Sequence, residues 1–179
     1  MHVEVGGLEA GREYFYHFTI GGERSRTGRA RTLPAAGAAV PQLRFGVAGC
    51  QRYEDGYFTA YRRIADEHFN FVFQYGDYID EYRVARPGER PVPVVRVMPD
   101  EADEIYTLDD YRHRYAIYKT DPDLQDAHAS APFVMSYDDH EVDNDWAGDI
   151  SEDDTRPELF LLRRAAQDRF RRHPRDGAA

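Results

Sequence analysis

Between Leu43 and Tyr75 the chain passes from an apolar run to a helical pattern and back to an apolar run, and this constrains its fold more than any other feature. Leu43-Arg44-Phe45-Gly46-Val47-Ala48-Gly49 predicts a strand. Tyr57 to His68 follows, with Tyr57, Tyr61, Ile64, Ala65 and His68 at helical spacing, and Phe69-Asn70-Phe71-Val72-Phe73-Gln74-Tyr75 predicts a second strand. Strand, helix and strand within about thirty residues is the crossover unit that joins parallel strands. The chain is therefore expected to be of the α/β class. Glu81 to Ile105 is rich in proline and charge without periodicity, so it predicts an excursion above the sheet. Helices are expected over Leu108 to Lys119, with Leu108, Tyr111, Tyr115 and Tyr118 on one face, and from Pro122 to His128 behind an Asp121 cap. Phe133 to Tyr137 predicts a third strand, and Pro157 to Arg172 a last helix. Before all this, Met1 to Val5, Tyr14 to Ile20 and Gly28 to Leu33 predict short strands between glycine turns, the remnant of a small β-sandwich. Residues 35–42, rich in Ala, Gly and Pro, predict a linker.

Each parallel strand ends in residues that bind metals. The first ends in Cys50, the second in Gly76-Asp77-Tyr78-Ile79-Asp80, the third in Asp138-Asp139-His140-Glu141. Ligands of open α/β sheets bind outside the carboxyl ends of the strands, so the three tips are expected at one site. A thiol, several carboxylates and an imidazole in one crevice repel one another or shift in pKa unless a cation lies among them. Each residue has an ordinary alternative: free cysteine packs as a small hydrophobe, Gly-Asp forms turns, and a lone histidine caps or faces solvent.

Composition narrows the partners. With 33 acidic against 23 basic residues the net charge is −10, which disfavours a nucleic-acid footprint. Cys50 is the single cysteine, so no intrachain disulfide forms. Mean hydropathy is −0.74, and no apolar run approaches the ~20 residues of a membrane span. No export signal is legible at Met1 to Val5. The acidic run Asp149 to Asp154 reads equally as a solvated face or as a weak cation-binding loop. Arg52, just after Cys50, and Arg83, after the Asp77 tip, are candidates for holding an anionic substrate.

At these residues the sequence resembles the alkaline phosphatase D family, the PhoD-like metallophosphatases. The resemblance runs through Val47-Ala48-Gly49-Cys50-Gln51, Gly56 to Arg62, Gly76-Asp77-Tyr78-Ile79, Thr107 to Arg112, Tyr115 to Leu124 and, most specifically, Asp138 to Gly148. It implies hydrolysis of phosphate monoesters and diesters at a site of ferric and calcium ions, in an α/β/β/α sandwich. Carried over, Cys50 becomes an iron ligand, Asp77 the carboxylate bridging iron and calcium, Asp139 a ligand of the second metal, and His140 the group that stabilises the transition state or protonates the leaving oxygen. Asp138 and Asp80 join the expected metal ligands, Asp80 standing where the family usually has Tyr. A carboxylate there is a general hard ligand, whereas a phenolate favours ferric iron. The resemblance also implies small phosphate esters as partners and an extracellular or periplasmic setting. Residues 1–34 then read as the closing strands of an immunoglobulin- or fibronectin-like domain, and 43–179 as the first half of the phosphatase domain, an internal piece of a longer gene product. The alternative function is an inactive fragment that binds cations weakly through Asp149, Asp153 and Asp154.

Overall fold

The computed structural model describes residues 3–85, 88–89, 91, 93–99, 103–152 and 156–171. Two compact units form, one from Met1–Ala48, Phe58–Gln74 and Pro122–Met135, the other from Gly49–Tyr57, Tyr75–Asp121 and Ser136–Ala179.

The first unit opens with a hairpin. β1 (Glu13–Tyr16) pairs antiparallel with β4 (Gly28–Arg31), and β2 (Thr19–Ile20) with β3 (Glu23–Arg24). The single strand expected over Tyr14 to Ile20 is thus two. Tyr16 faces Gly28 and Thr19 faces Arg24, so Ser25-Arg26-Thr27 lies opposite His17-Phe18. The returning strand carries the extra residue of a bulge, which breaks the ladder. Ser25 bridges the break: its Oγ accepts the Phe18 N–H at 2.8 Å, and its own N–H donates to the Phe18 carbonyl at 2.9 Å. Gly21 and Gly22 make the turn at φ 56° and 90°, the positive pair that a type I′ hairpin turn demands. The strand expected over Met1 to Val5 does not form at residues 3–5, which carry no regular secondary structure. Arg29 ties β4 to the rest of the unit, Nη1 donating to the carbonyls of Phe69 at 2.8 Å and Ser130 at 2.9 Å.

β5 (Phe45–Ala48), β6 (Phe71–Gln74) and β7 (Phe133–Met135) make the parallel sheet in that order. The helices are α1 (Thr59–Asp66), α2 (Leu108–Tyr118), α3 (Pro122–Ser130) and α4 (Pro157–Arg171). α1 is shorter than the pattern from Tyr57 to His68 because His68 adopts a left-handed φ of 50° just beyond it, a conformation that ends helices. In this unit α1 packs on α3. Phe58, Tyr61, Val72, Leu124, Ala127 and Ala131 are buried, a core of side chains contributing roughly 1.5–3 kcal/mol each for the larger ones. Strand alternation shows one covered face and one bare face: Gly46, Val72 and Gln74 are buried, whereas Phe45, Val47, Phe73 and Val134 are 37–57% exposed.

In the second unit α2 packs on α4, with the Tyr115 and Phe170 rings stacked at 4.4 Å. Thr107 caps α2 by accepting the Asp110 N–H at 3.2 Å, while the Asp110 carboxylate takes the Thr107 N–H at 2.8 Å. The inward face of α2 carries Tyr111 and Tyr118, as the spacing predicts, and also Arg114, 1% exposed. Arg114 donates to the carbonyls of Asp80, of Tyr82 at 2.9 Å and of Asp103 at 2.7 Å, fastening the irregular stretch that follows the second strand. Arg163 of α4 likewise holds Asp143, Glu104 and the Ile105 carbonyl. Among the described residues no helix is long and apolar enough to cross a membrane.

Candidate metal centre

The residues that directly follow β5, β6 and β7 all lie in the second unit, and there they meet. The ladder between the first two continues past the strands, Cys50 N–H donating to the Gly76 carbonyl at 3.2 Å and Gln51 N–H to the Asp77 carbonyl at 3.0 Å. Cys50 and Asp77 both adopt φ 50°. Left-handed backbone is costly for residues with a Cβ and persists where the surroundings enforce it, commonly at functional sites. Here it turns the thiol toward the carboxylate: Cys50 Sγ donates to Asp77 Oδ2 at 3.2 Å. Cys50 is exposed, so the simple packing role is not the one it plays. The Tyr75 hydroxyl pulls its thiol pKa down, but burial and the Asp77 and Asp138 charges outweigh that and leave it raised.

Asp77 is 8% exposed, and its Oδ1 is buried with no hydrogen-bond partner. One ligand atom each from Asp77, Asp138 and Asp139 falls within 4.8 Å of the others. Carboxylates at that separation repel by about 3 kcal/mol per pair at an effective dielectric of about 20. An orphaned buried oxygen among clustered carboxylates beside a thiol is a donor set that fits a hard or borderline cation.

A second group contains Asp80, Glu81 and His140, again within 4.8 Å. Here every acid has a partner. Glu81, fully buried, accepts from His140 Nδ1 at 2.7 Å and from the Asn144 N–H at 2.8 Å. That bond pushes the His140 pKa up to about 9 against the opposing effect of burial. The Asp80 carboxylate lies 3.0 Å from Arg52 Nη1, and burial raises its pKa in spite of that neighbour. Cys50, Gln51, Arg52, Asp55, Asp77, Ile79, Asp80 and His140 line an open cavity of about 220 Å³. Of the two arginines expected near an anion, Arg52 lines this cavity, whereas Arg83 lies on the surface 2.8 Å from Glu89. Asp149 is exposed and pairs with Arg164, and Asp153 and Asp154 fall outside the described residues.

Two acids hold this arrangement together: Glu81, which sequence reading passed over, and Glu141, which it grouped with the ligand-type residues of the third strand end. Glu81 orients His140. Glu141, 1% exposed, spans two loops: Oε2 accepts the N–H of Asp77 at 2.9 Å and of Asp138 at 2.8 Å, and Oε1 the N–H of Tyr78 at 2.5 Å and of Ile79 at 3.4 Å. The spacing Asp138-x-x-Glu141 is that of a capping box, the sequence signal for this supporting role. The loops are also in direct contact at Gly76, where φ is 138° and a Cβ would stand 2.4 Å from the Asp138 nitrogen. Gly76→Ala is therefore expected to lose about 2–3 kcal/mol of stability in a urea titration, from strain and backbone overlap together.

Comparison with known proteins identifies a family. The family model for PhoD-like phosphatases matches residues 45–173, and that for the N-terminal domain of PhoD-like phosphatases matches residues 1–34. Alkaline phosphatase D of Bacillus subtilis (strain 168) is 48% identical over 166 residues, which are 93% of this chain and 28% of that protein. A solved structure described as the structure of PhoD superposes with a TM-score of 0.83 at 46% identity, over 94% of this chain and 32% of the other. The chain thus spans about three tenths of the length of these relatives. With both family models matched in order and the strand-end residues drawn together, the chain belongs to the PhoD-like phosphatase family.

Proposed function

We propose that the site built on Cys50, Asp77, Asp138 and Asp139 holds metal for the hydrolysis of phosphate esters, monoesters and diesters, with ferric iron and calcium as the ions. The observation that carries this reading is the buried, unpartnered Oδ1 of Asp77, a residue whose other oxygen meets the Cys50 thiol and which groups with two further carboxylates. When bound, such ions polarise phosphoryl oxygens and supply hydroxide near neutral pH.

The chain's own groups have the remaining tasks. Glu81 engages Nδ1 of His140, fixing the ring and leaving Nε2 as the nitrogen that gives a proton to the departing alkoxide. Arg52, on the wall of the same cavity, is suited to hold a phosphoryl oxygen, and its pairing with Asp80 sets its position. Asp80 serves this pairing and its own group with Glu81 and His140, so its role as a ligand belongs with that second cluster. The kinship with alkaline phosphatase D supports small phosphate esters as substrates, and the family resemblance implies an exported setting.

The test is turnover of p-nitrophenyl phosphate and bis(p-nitrophenyl) phosphate after folding with iron and calcium. His140→Ala is expected to lower turnover about a hundredfold or more, with the metal held by Cys50, Asp77, Asp138 and Asp139 unchanged. Unchanged turnover in that variant assigns the proton transfer to another group. No turnover from the parent chain, with a calcium response that survives Asp77→Ala, replaces the reading with weak cation binding.

A further inference from the structure

We propose that Glu141 is the positioning residue of this centre: its carboxylate binds neither metal nor ester but fixes the backbone of both loops, and so places Asp77 and Asp138. The inference rests on the metal reading above. Four amides converge on one buried carboxylate, two on each oxygen, and they come from both loops. Asp77 and Asp138 share the same oxygen, Oε2, so the separation of their main chains is set by that atom. Glu141 is itself fixed, since the Tyr111 hydroxyl donates to its carbonyl at 2.9 Å and the side chain is closed off from solvent.

This arrangement explains two otherwise separate facts. A carboxylate that accepts from Asp77, Tyr78 and Ile79 holds the chain in the bend where Asp77 is left-handed, the backbone course that brings Cys50 Sγ to Asp77 Oδ2. Its negative charge also occupies the loop amides, so an incoming anion meets the metal-binding side chains and Arg52 rather than the main chain. Groups that orient metal ligands in this manner typically change metal affinity about ten- to a hundredfold when altered.

Glu141→Gln is the sharpest probe, because it keeps the shape while altering the hydrogen bonds and removing the charge that the four amides share. An amide has one accepting oxygen, so its NH₂ must face either the Asp77 and Asp138 N–H groups or those of Tyr78 and Ile79. The experiment pairs backbone amide hydrogen exchange with titration of the full chain by Tb³⁺, a hard oxygen-seeking probe. In the parent chain the Asp77, Tyr78 and Asp138 amides are expected to exchange slowly although they lie in loops. In Glu141→Gln they exchange about tenfold faster or more while Val72 of the sheet stays protected, and Tb³⁺ affinity falls about ten- to a hundredfold. Should that variant fail to fold, Tyr111→Phe, which releases only the Glu141 carbonyl, is expected to give a smaller change in the same three amides and in Tb³⁺ affinity. Fast exchange at Asp77, Tyr78 and Asp138 in the parent chain overturns the proposal, as does unaltered Tb³⁺ affinity in a folded Glu141→Gln chain whose loop amides have opened. A parent chain that takes up no Tb³⁺ defeats the metal reading instead, and its amide pattern still decides whether Glu141 fixes the loops.

Discussion

Asp77→Asn is expected to empty the metal centre while leaving the chain folded. Asparagine has the shape of aspartate, its carbonyl oxygen can still accept from Cys50, and the main-chain N–H of residue 77 still reaches Glu141. What disappears is the charge on a buried carboxylate whose second oxygen has no hydrogen-bond partner. Changes one step removed from a metal weaken binding about ten- to a hundredfold, so loss of a direct ligand is expected to exceed about a hundredfold. Elemental analysis of parent and variant, each folded with iron and calcium and then desalted, measures this. Equal metal in the two would remove Asp77 from the ligand set and with it the strongest support for the proposed chemistry.

The largest expected loss of stability comes from Arg114→Met. Methionine replaces the aliphatic stem but none of the donors, and the carbonyls of Asp80, Tyr82 and Asp103 are left without the guanidinium that joins them. An unsatisfied buried polar group costs about 1–3 kcal/mol, so a total of about 3–5 kcal/mol is expected. That is a large part of the roughly 5–15 kcal/mol by which domains are stable. Urea unfolding followed by circular dichroism gives the number, and a loss under about 1 kcal/mol would mean that solvent replaces the guanidinium freely. Arg114→Lys should recover little, because a single ammonium cannot span three carbonyls that a planar fork reaches.

The strands and helices were largely legible because periodicity and punctuation are local. Asp121-Pro122 marks the start of α3 to the residue, and α4 begins at Pro157 as its pattern predicts. The hairpin was less so, since the bulge at Ser25 to Thr27 depends on which residues lie across from His17 and Phe18. The candidate ligands Cys50, Asp77, Asp138 and Asp139 were legible from a topological rule, that strand ends share a site. Their supports were not. Glu81 and Arg114 look in the sequence like ordinary members of charged stretches and Glu141 like one more ligand of the third strand end, and only burial against main-chain groups distinguishes their supporting role. Arg114 even occupies the apolar stripe of α2, between Tyr111 and Tyr118, where hydrophobic spacing has no means of anticipating a cation.

The bare side of the sheet gives the protein the character of a charged colloid with an adhesive spot. Phe45, Val47, Phe73 and Val134 attract any like surface that comes within contact range, while the net charge of −10 keeps molecules apart at longer range. The two forces differ in reach. Raising ionic strength shortens the repulsion from about 30 Å at 0.01 M to about 8 Å at physiological salt and leaves the attraction intact. Dispersed chains are therefore favoured by dilute buffer above the pI near 5.1, and association by salt or by acidification toward it.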